Sequence, residues 1–364
     1  MFTLIEVVIL SKNSDRELFY GVANIEKLFR KLPPYTHNRW LKQSLKSLAK
    51  IVKKDEINRL EWKILRSTLK DLEKGFRVFS DYREKRKITV FGSARTHPTS
   101  PEYDLAVEFA KKISDLGFMV LTGAGGGVME AGNKGAGAEH SFGLNVKLPF
   151  EQGANDFIKN DHKLINFKYF FTRKLFFLKE TDAIALFPGG FGTQDEAFET
   201  LTLCQTGKQP PVPLILIDKP GGNYWHNWHN YICNNLLAEG YINIEDTEIY
   251  TITDNIETAC EVITDFYKVY HSSLYLKDYF LIRLNCELKN EQIEELNDKF
   301  SDLFSEGKIT KVTNSKHSGN DTIDDLPCIG FHFNERKFSR LYQMIKMINS
   351  YHFDTFACDQ PAIR

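Results

Sequence analysis

The sequence predicts an α/β fold, a doubly wound parallel sheet with helices on both faces. Short apolar runs, typical of strands buried on both faces, alternate through the middle of the chain with segments whose apolar residues recur at helical spacing. Glycine-rich turns connect two of these runs to the helices that follow them. In such a sheet the turns lie at the carboxyl ends of the strands, where ligands bind.

The predicted strands of this sheet occupy residues 88–92, 118–121, 143–148, 183–187 and 213–217. A helix is predicted to begin after Ser100, because Ser100 can act as the N-cap, Pro101 suits the first helical position and Glu102 places an acid in the first turn. Gly117 is expected to end it. Further helices are predicted over 128–139, over 169–179 and after Thr193. The 169–179 helix is apolar on nearly every side, which predicts burial.

The rest of the chain predicts additions at both ends of this Rossmann-like domain. Residues 1–87 form a helical N-terminal extension, with two amphipathic helices over 38–79 after the break at Pro33-Pro34. The central domain covers 88–270. Residues 271–352 show a βαββα order, which predicts a small α+β module of ferredoxin-like type, and 353–364 form a tail.

Composition indicates an ordinary globular protein, with 42% hydrophobic and 26% charged residues. The six cysteines are scattered without a C-x-x-C pair, so we expect reduced thiols in the cytoplasm and no zinc ribbon. The apolar start, residues 1–10, contains Glu6 and lacks a basic lead, so it is a poor signal peptide. We expect no membrane partner.

Charge is unevenly distributed along the chain. Residues 1–87 contain 21 Lys and Arg against 11 Asp and Glu, whereas the remainder contains 26 against 37. Such asymmetry is typical of nucleic-acid or anion-binding surfaces, and equally of a basic face that docks on the acidic remainder or on a sister subunit. We favour docking and regard nucleic acid as an unlikely partner.

The stretch that organises the chain is Pro188-Gly189-Gly190-Phe191-Gly192-Thr193-Gln194-Asp195-Glu196, directly after the apolar run 183–187. It reads as strand, glycine turn and helix, in which glycines let the backbone approach a ligand and the helix start offers N–H groups to an anion. Thr193-x-x-Glu196 is also a capping box, and the two interpretations are compatible.

A second glycine turn, Gly123-Ala124-Gly125-Gly126-Gly127, precedes the helix that begins at Val128. The dinucleotide fingerprint G-x-G-x-x-G fails because Val128 stands where the third glycine is required. A Walker A loop fails as well, because Gly132 is followed by Asn133-Lys134. The turn therefore suits a phosphate or a ribose edge.

The stretch 188–196 resembles the PGGxGTxxE signature of the LOG-type phosphoribohydrolases, a family once labelled lysine decarboxylase-like. The resemblance extends over residues 88–266, about half the chain, and includes Gly92-Ser93-Ala94-Arg95, residues 122–136 and Arg173-Lys174. It implies that Arg173 and Glu196 are the catalytic residues. Substrate binding is implied for the following residues: Gly92, Ser93, Arg95, Gly125, Gly126, Gly127, Met129, Glu130, Gly189, Gly190, Gly192 and Thr193.

The resemblance implies hydrolysis of the N-glycosidic bond of a nucleoside 5′-monophosphate, to a free base and ribose 5-phosphate, with cytokinin riboside monophosphates as alternative substrates. It also implies at least a homodimer. No cofactor or metal is expected, and the longer ends indicate a member resembling the longer bacterial versions of the family.

Two rival functions remain open at this point. The same fold and turns serve in molybdenum-cofactor carrier proteins, which bind a phosphorylated pterin without cleaving it. A pyridoxal-phosphate lysine decarboxylase would need a lysine for its Schiff base, and Lys174 is the only candidate near the site.

Two further features are interpreted as structural. The histidines of Trp225-His226-Asn227-Trp228-His229 lack metal-ligand partners, so we expect this stretch to pack on the sheet. Cys204 lies on the apolar face of its helix and is predicted to belong to the core.

Overall fold

The computed structural model describes residues 38–53, 57–146, 153–276, 279–312 and 326–353. The predictions for residues 1–10, Pro33-Pro34 and the tail from 354 onward lie outside these residues. The chain divides into two compact units, Met1–Ser67 and Thr68–Arg364. The two predicted N-terminal helices are present as α1 (Asn38–Lys53) and α2 (Arg59–Phe79).

The second unit contains a seven-stranded sheet in which every pair of neighbouring strands is parallel. The strand order is β4-β3-β2-β1-β5-β6-β7. The strands are β1 (Lys87–Phe91), β2 (Met119–Thr122), β3 (Ser141–Val146), β4 (Leu164–Phe167), β5 (Ala183–Leu186), β6 (Leu214–Ile217) and β7 (Tyr250–Thr253). The predicted doubly wound parallel sheet is confirmed. Strands β4 and β7 were not predicted.

Helices cover both faces of this sheet because strand residues alternate between two cores. Along β1, Ile88 and Val90 belong to one core and Phe91 to the other. The first core is covered by α3 (Pro101–Asp115), α4 (Val128–Ala136) and α8 (Ile256–Phe266). The second is covered by α5 (Phe170–Lys179), α6 (Phe191–Gln205) and α7 (Tyr224–Tyr231), the last extended by a π-helical segment, Ile232–Leu237.

The direction of winding reverses between β1 and β5. From β1 the chain builds outward to β4, returns to place β5 beside β1, and builds outward again to β7. The loops that leave the carboxyl ends of β1 and β5 therefore diverge to opposite faces and open a crevice between them. Both loops carry residues of the predicted site.

A four-stranded antiparallel sheet follows, with strand order β10-β11-β9-β8. Its elements are β8 (Tyr270–Leu276), β9 (Tyr279–Leu284), α9 (Asn290–Lys299), β10 (Phe304–Val312), β11 (Cys328–Phe333) and α10 (Arg340–Ser350). The small α+β module is thus confirmed, and β9 to α10 follow the predicted βαββα order. The edge strand β8 was missed.

The cysteines depart from one expectation. Cys204, Cys233, Cys260 and Cys328 remain thiols, whereas Cys286 is disulfide-bonded. The prediction of reduced thiols throughout is therefore wrong for Cys286. Cys204 is buried beside Val212, Ile249 and Tyr342, which confirms its place in the core. Among the helices of the described residues, none combines the length and apolarity that a bilayer crossing requires.

Candidate functional site

The centre of the candidate site is an ion-pair cluster between α5 and α6. Glu196 on α6 is buried, and its Oε2 lies 3.0 Å from Nζ of Lys174 on α5. The same Nζ lies 2.6 Å from Oε2 of Glu199 and 2.9 Å from Oδ2 of Asp195. One ammonium group therefore holds three carboxylates, of which Glu196 is the most deeply buried.

Burial and charge act in opposite directions on the ionisation of this cluster. Burial raises the pKa of Glu196 above its ordinary value, Lys174 and more weakly Arg173 oppose the rise, and Glu199 adds to it. Burial also disfavours the charge on Lys174, but its hydrogen bonds to Glu199 and Asp195 raise its pKa above the usual range. Lys174 is therefore a fixed cation, and Glu196 is the group whose protonation can change.

Sequence reasoning named Arg173 and Glu196 as the catalytic residues and did not indicate that Lys174 and Glu199 lie beside Glu196. A signal was present, because residues three apart on a helix share a face, and Glu196 and Glu199 have this spacing. The partner on α5 was not readable from the sequence, since it depends on how the helices before and after β5 meet. Arg173 is near enough to lower the pKa of Glu196, and its guanidinium lies over the rings of Phe170 and Phe177 at 4.9 and 5.6 Å.

Helix α5 is less buried than predicted. Phe170, Phe171 and Leu175 are each about half exposed, so the predicted burial of this helix is wrong for these side chains. Its first turn is held by Asp71 of α2, a buried carboxylate that accepts hydrogen bonds from the backbone N–H of Lys168 and the hydroxyl of Thr172, both at 2.8 Å. The N-terminal extension thus contributes directly to the helix that carries Arg173 and Lys174.

Helix α6 begins earlier than a capping box at Thr193 requires. Gly190 is the N-cap, no side chain caps the helix, and Thr193 is the third helical residue. The capping-box prediction is therefore wrong. The first-turn N–H groups of Phe191, Gly192 and Thr193 have no acceptor within the helix, as at any helix N-terminus. Among the described residues, nothing lies within 4 Å of a Cβ added at Gly190 or Gly192, so these residues leave space above the turn for a ligand.

The base of the same turn is tightly packed. A Cβ at Gly189 would lie 2.1 Å from Oγ1 of Thr193, so only glycine fits there. The carbonyl oxygen of Gly189 accepts a hydrogen bond from the hydroxyl of Tyr224 at 2.5 Å, and that hydroxyl accepts one from Gln194 at 2.7 Å. Tyr224 at the start of α7 therefore fixes the turn from behind, a role that the sequence did not indicate.

The loop after β1 connects the two glycine turns. The N–H of Ser93 donates to the carbonyl of Pro188, and the N–H of Val128 donates to the carbonyl of Ser93, both at 3.1 Å. The Ser93 hydroxyl accepts from the N–H of Arg95, whose side chain is exposed. A Cβ at Gly92 would lie 2.7 Å from Val128. Three of the four stretches that carry the resemblance, 92–95, 122–136 and 188–196, are thus brought together at the switch point between β1 and β5.

The second glycine turn is shaped by buried polar side chains. Thr122, Asn133 and Asn155 form a chain of hydrogen bonds: Thr122 donates to Asn133 at 2.8 Å, and Asn155 donates to Asn133 and to the carbonyl of Gly125, both at 3.0 Å. Met129 packs beneath the turn, since a Cβ at Gly125 would lie 2.7 Å from its Cε. Gly126 is exposed. The network holds the turn in one conformation before any ligand binds.

Glu130, which the resemblance implies as a substrate-binding residue, has a hydrogen-bond partner within the protein. Its Oε1 accepts a hydrogen bond from the hydroxyl of Tyr103 on α3 at 2.9 Å. Burial, and then this bond, raise the pKa of Tyr103 to about 12. Substrate contact by Glu130 therefore stays a prediction, and its recorded partner is a structural one.

Gly127 is expected to be the least replaceable residue of the second turn. Its φ is +63°, and a Cβ would lie 2.3 Å from the carbonyl oxygen of Ser93. Gly137 at the other end of α4 has a φ of +72° but open space around it. Gly127→Ala should therefore lower the free energy of unfolding by about 1–3 kcal/mol more than Gly137→Ala, because only the former adds a clash to the backbone strain. Urea unfolding of both variants measures the difference. Equal losses would mean that the loop after β1 moves aside.

The family model described as "Possible lysine decarboxylase" matches residues 124–263. No curated protein sequence matches the chain. Similar solved structures include the structural-genomics target TM1055, 22% identical over 49% of this chain and 98% of its own, with a TM-score of 0.36.

Two other similar structures are named as molybdenum-cofactor proteins. The molybdenum cofactor binding protein of Rippkaea orientalis is 20% identical over 49% of this chain and 95% of its own, with a TM-score of 0.35. The molybdenum cofactor carrier protein of Chlamydomonas reinhardtii is 20% identical over 49% of this chain and 96% of its own, with a TM-score of 0.35. Likenesses at this level carry no inference about ligands.

The family match covers residues 124–127 of the second glycine turn and both helices of the ion-pair cluster, α5 and α6. It also covers Tyr224 behind the turn at Gly189. Residues 124–263 of this chain therefore match the model of the family described as possible lysine decarboxylase, in agreement with the LOG-like family that the sequence motifs resemble.

Proposed function

We propose that this protein hydrolyses the N-glycosidic bond of purine nucleoside 5′-monophosphates, releasing the free base and ribose 5-phosphate. The observation that carries the proposal is the buried carboxylate of Glu196, held by Lys174 one turn inside the open N-terminus of α6. The helix start can bind the anionic end of a substrate, such as a phosphate. The carboxylate behind it can stabilise positive charge that develops at the other end of the substrate in the transition state.

The helix start is expected to bind the 5′-phosphate. The N–H groups of Gly192 and Thr193 would donate to its oxygens, and the helix dipole adds to the attraction. The open space above Gly190 and Gly192 leaves room for this group. Binding energy from the phosphate would hold the ribose C1′ beside Glu196, so nucleosides without phosphate should be poor substrates.

Departure of the base builds positive charge on the ribose. An ionised Glu196 would stabilise that charge, and it can orient or deprotonate the attacking water. Lys174 is expected to keep the buried carboxylate ionised, because its charge opposes the pKa rise that burial causes. Arg173, whose charge acts in the same direction, would contact the substrate or Glu196.

The decarboxylase in the family's description fits these residues poorly. A Schiff base with pyridoxal phosphate requires a lysine that can lose its proton. Lys174 instead pairs with three carboxylates that raise its pKa. The residues present therefore favour a lysine that acts as a fixed charge.

Exposed apolar side chains on α5 and α6 support a homodimer, which is part of the proposal. Phe191 at the start of α6 is 96% exposed, and Phe170, Phe171, Leu175 and Phe198 on the same two helices are also exposed. An apolar patch of this kind beside a site is typical of a subunit contact. A second copy of the chain would cover it and narrow the entrance to the site.

The test is base release from a panel of nucleoside 5′-monophosphates, the matching nucleosides and cytokinin riboside monophosphates. We expect release from monophosphates only, and the best substrate identifies the preferred base. A folded protein that binds a nucleotide without releasing base would contradict hydrolysis and favour a carrier. Release at equal rates from nucleosides would contradict the phosphate anchor.

A further inference from the structure

A second group of reactive side chains lies at the far end of α7. The Sγ of Cys233 is 3.4 Å from Nε2 of His229, and Nδ1 of His229 is 2.7 Å from the hydroxyl of Tyr250 on β7. A thiol, an imidazole and a phenol are thus connected in a row. This is the arrangement of a nucleophile, a base and a group that orients the base.

The helix itself brings the first two together. His229 and Cys233 are four residues apart, and so share one face. The helix changes from α to π form at Ile232, and the carbonyl of Cys233 accepts the i→i+5 hydrogen bond from Ala238 at 3.0 Å. π-Helical turns inside helices frequently mark functional positions. Both His229 and Cys233 are partly exposed, so a small reagent can reach the thiol.

This group is distinct from the candidate active site. Tyr224, at the start of α7, contacts the glycine turn, whereas Cys233 lies nine residues further, about 14 Å along a helix at 1.5 Å per residue. Tyr250 is the first residue of β7, at the amino end of the parallel strands, and the glycine turns are at the carboxyl ends.

The contacts determine how the proton can move. When the Nδ1–H of His229 donates to the Tyr250 oxygen, Nε2 is the acceptor for the thiol proton. Burial raises the pKa of Tyr250, so the phenol keeps its proton. Among the described residues, the recorded polar contacts of the thiol go to His229, and those of the imidazole go to Cys233 and Tyr250. Within the part of the chain that the structure describes, no acidic side chain contacts either group.

We propose that Cys233 and His229 form an activated-thiol site that reacts with small disulfides. His229 takes the thiol proton, and the Cys233 thiolate attacks one sulfur of the disulfide. The new S–S bond forms as the old one breaks, and the departing thiolate takes the proton from His229. Cys233 ends as a mixed disulfide, and one small thiol is released.

The other thiols provide an internal contrast. Cys204 and Cys260 are buried, and burial raises the pKa of each to about 11. Cys328 is buried as well. Buried thiols with raised pKa values are inert. Among the thiols of the described residues, selective reaction of Cys233 is therefore expected.

The experiment follows dithiobis(nitrobenzoate), an aromatic disulfide that releases a coloured thiolate, from pH 5 to 9 with the full-length protein. We expect a fast phase that is lost in Cys233→Ser and that persists well below the ordinary thiol pKa of about 8.5. An activated thiolate is also a weaker nucleophile than an ordinary one. The gain in reaction rate over an ordinary thiol is therefore small at pH 7 and grows to roughly tenfold near pH 5.5. His229→Gln should remove that gain, and Tyr250→Phe should reduce it.

Three results would overturn the proposal. One is a fast phase that survives in Cys233→Ser. Another is a wild-type profile with a single ionisation near the ordinary thiol value, which needs no variant and so does not depend on folding of His229→Gln. The third is a folded His229→Gln protein that reacts like wild type at pH 5.5.

Discussion

Glu196→Gln is expected to reduce base release by about a thousandfold, the scale on which a carboxylate acts as an electrostatic stabiliser and general base. Glutamine keeps the size and the hydrogen-bonding oxygen but has no charge. Asp195→Asn is the matched control, because Asp195 also pairs with Lys174, at 2.9 Å, but is mostly exposed. We expect Asp195→Asn to retain most of the rate.

Stability separates a catalytic role of Glu196 from a structural one. Burial raises its pKa in the folded protein, so its contribution to stability is fully present below the unfolded pKa and is lost as the pH rises through the folded value. At pH 7 the ionised carboxylate is therefore not a source of stability, and Glu196→Gln should unfold at the same urea concentration or a higher one. A variant that loses stability together with base release would indicate that Glu196 acts through the fold.

The fold was predictable from the sequence where local pattern decides the outcome. Apolar runs such as 183–187 are hydrophobic throughout because strands of a parallel sheet are covered on both faces, and Ala183, Ala185 and Phe187 indeed face one core while Ile184 and Leu186 face the other. Strand β4 was missed because Leu164–Phe167 is a short edge strand that contains Asn166 and has weak periodicity. Strand β8 was missed because the polar residues Ser272 and Ser273 interrupt its apolar pattern.

The candidate site was predictable only in part. Glycine turns are recognisable in the sequence, since few other residues allow close backbone approach. Gly127 and Gly189 are indeed positions where a Cβ would clash. The beginning of α6 was misplaced by three residues, because Thr193-x-x-Glu196 satisfies the local rule for a cap, while Gly190 takes the position with no side chain at all. Local rules give the element and tertiary packing sets its boundary.

The partnership of Lys174 and Glu196 could not be read from spacing. The two residues lie on different helices that cover the same face of the sheet, and they meet because the chain winds back from β4 to β5. Asp71, which holds α5 from the N-terminal extension, is separated from Thr172 by 101 positions. Such contacts follow from topology, and the pairing of charged residues in a site therefore becomes readable only when the fold is known.

Lys174→Met and Glu199→Gln are expected to shift the pH dependence of base release in opposite directions. Lys174 lowers the pKa of Glu196, so its removal should move the acidic limb of the profile to higher pH. Glu199 raises that pKa, so its removal should move the limb to lower pH. Each unit by which the pKa of Glu196 exceeds the working pH removes about tenfold of the rate, so Lys174→Met should be the more severe variant at pH 6.

Lys174→Arg serves as the control, because arginine retains the positive charge. Its pH profile of base release should keep the acidic limb of the wild type, even if altered geometry lowers the maximal rate. The measurement is kcat/KM for the best monophosphate from pH 4.5 to 9 for the four proteins. Parallel shifts in Lys174→Met and Glu199→Gln would contradict a charge effect and indicate a common disturbance of the helix contact. Unchanged limbs with reduced rates would place the titrating group elsewhere, so that Lys174 would serve only to join α5 to α6.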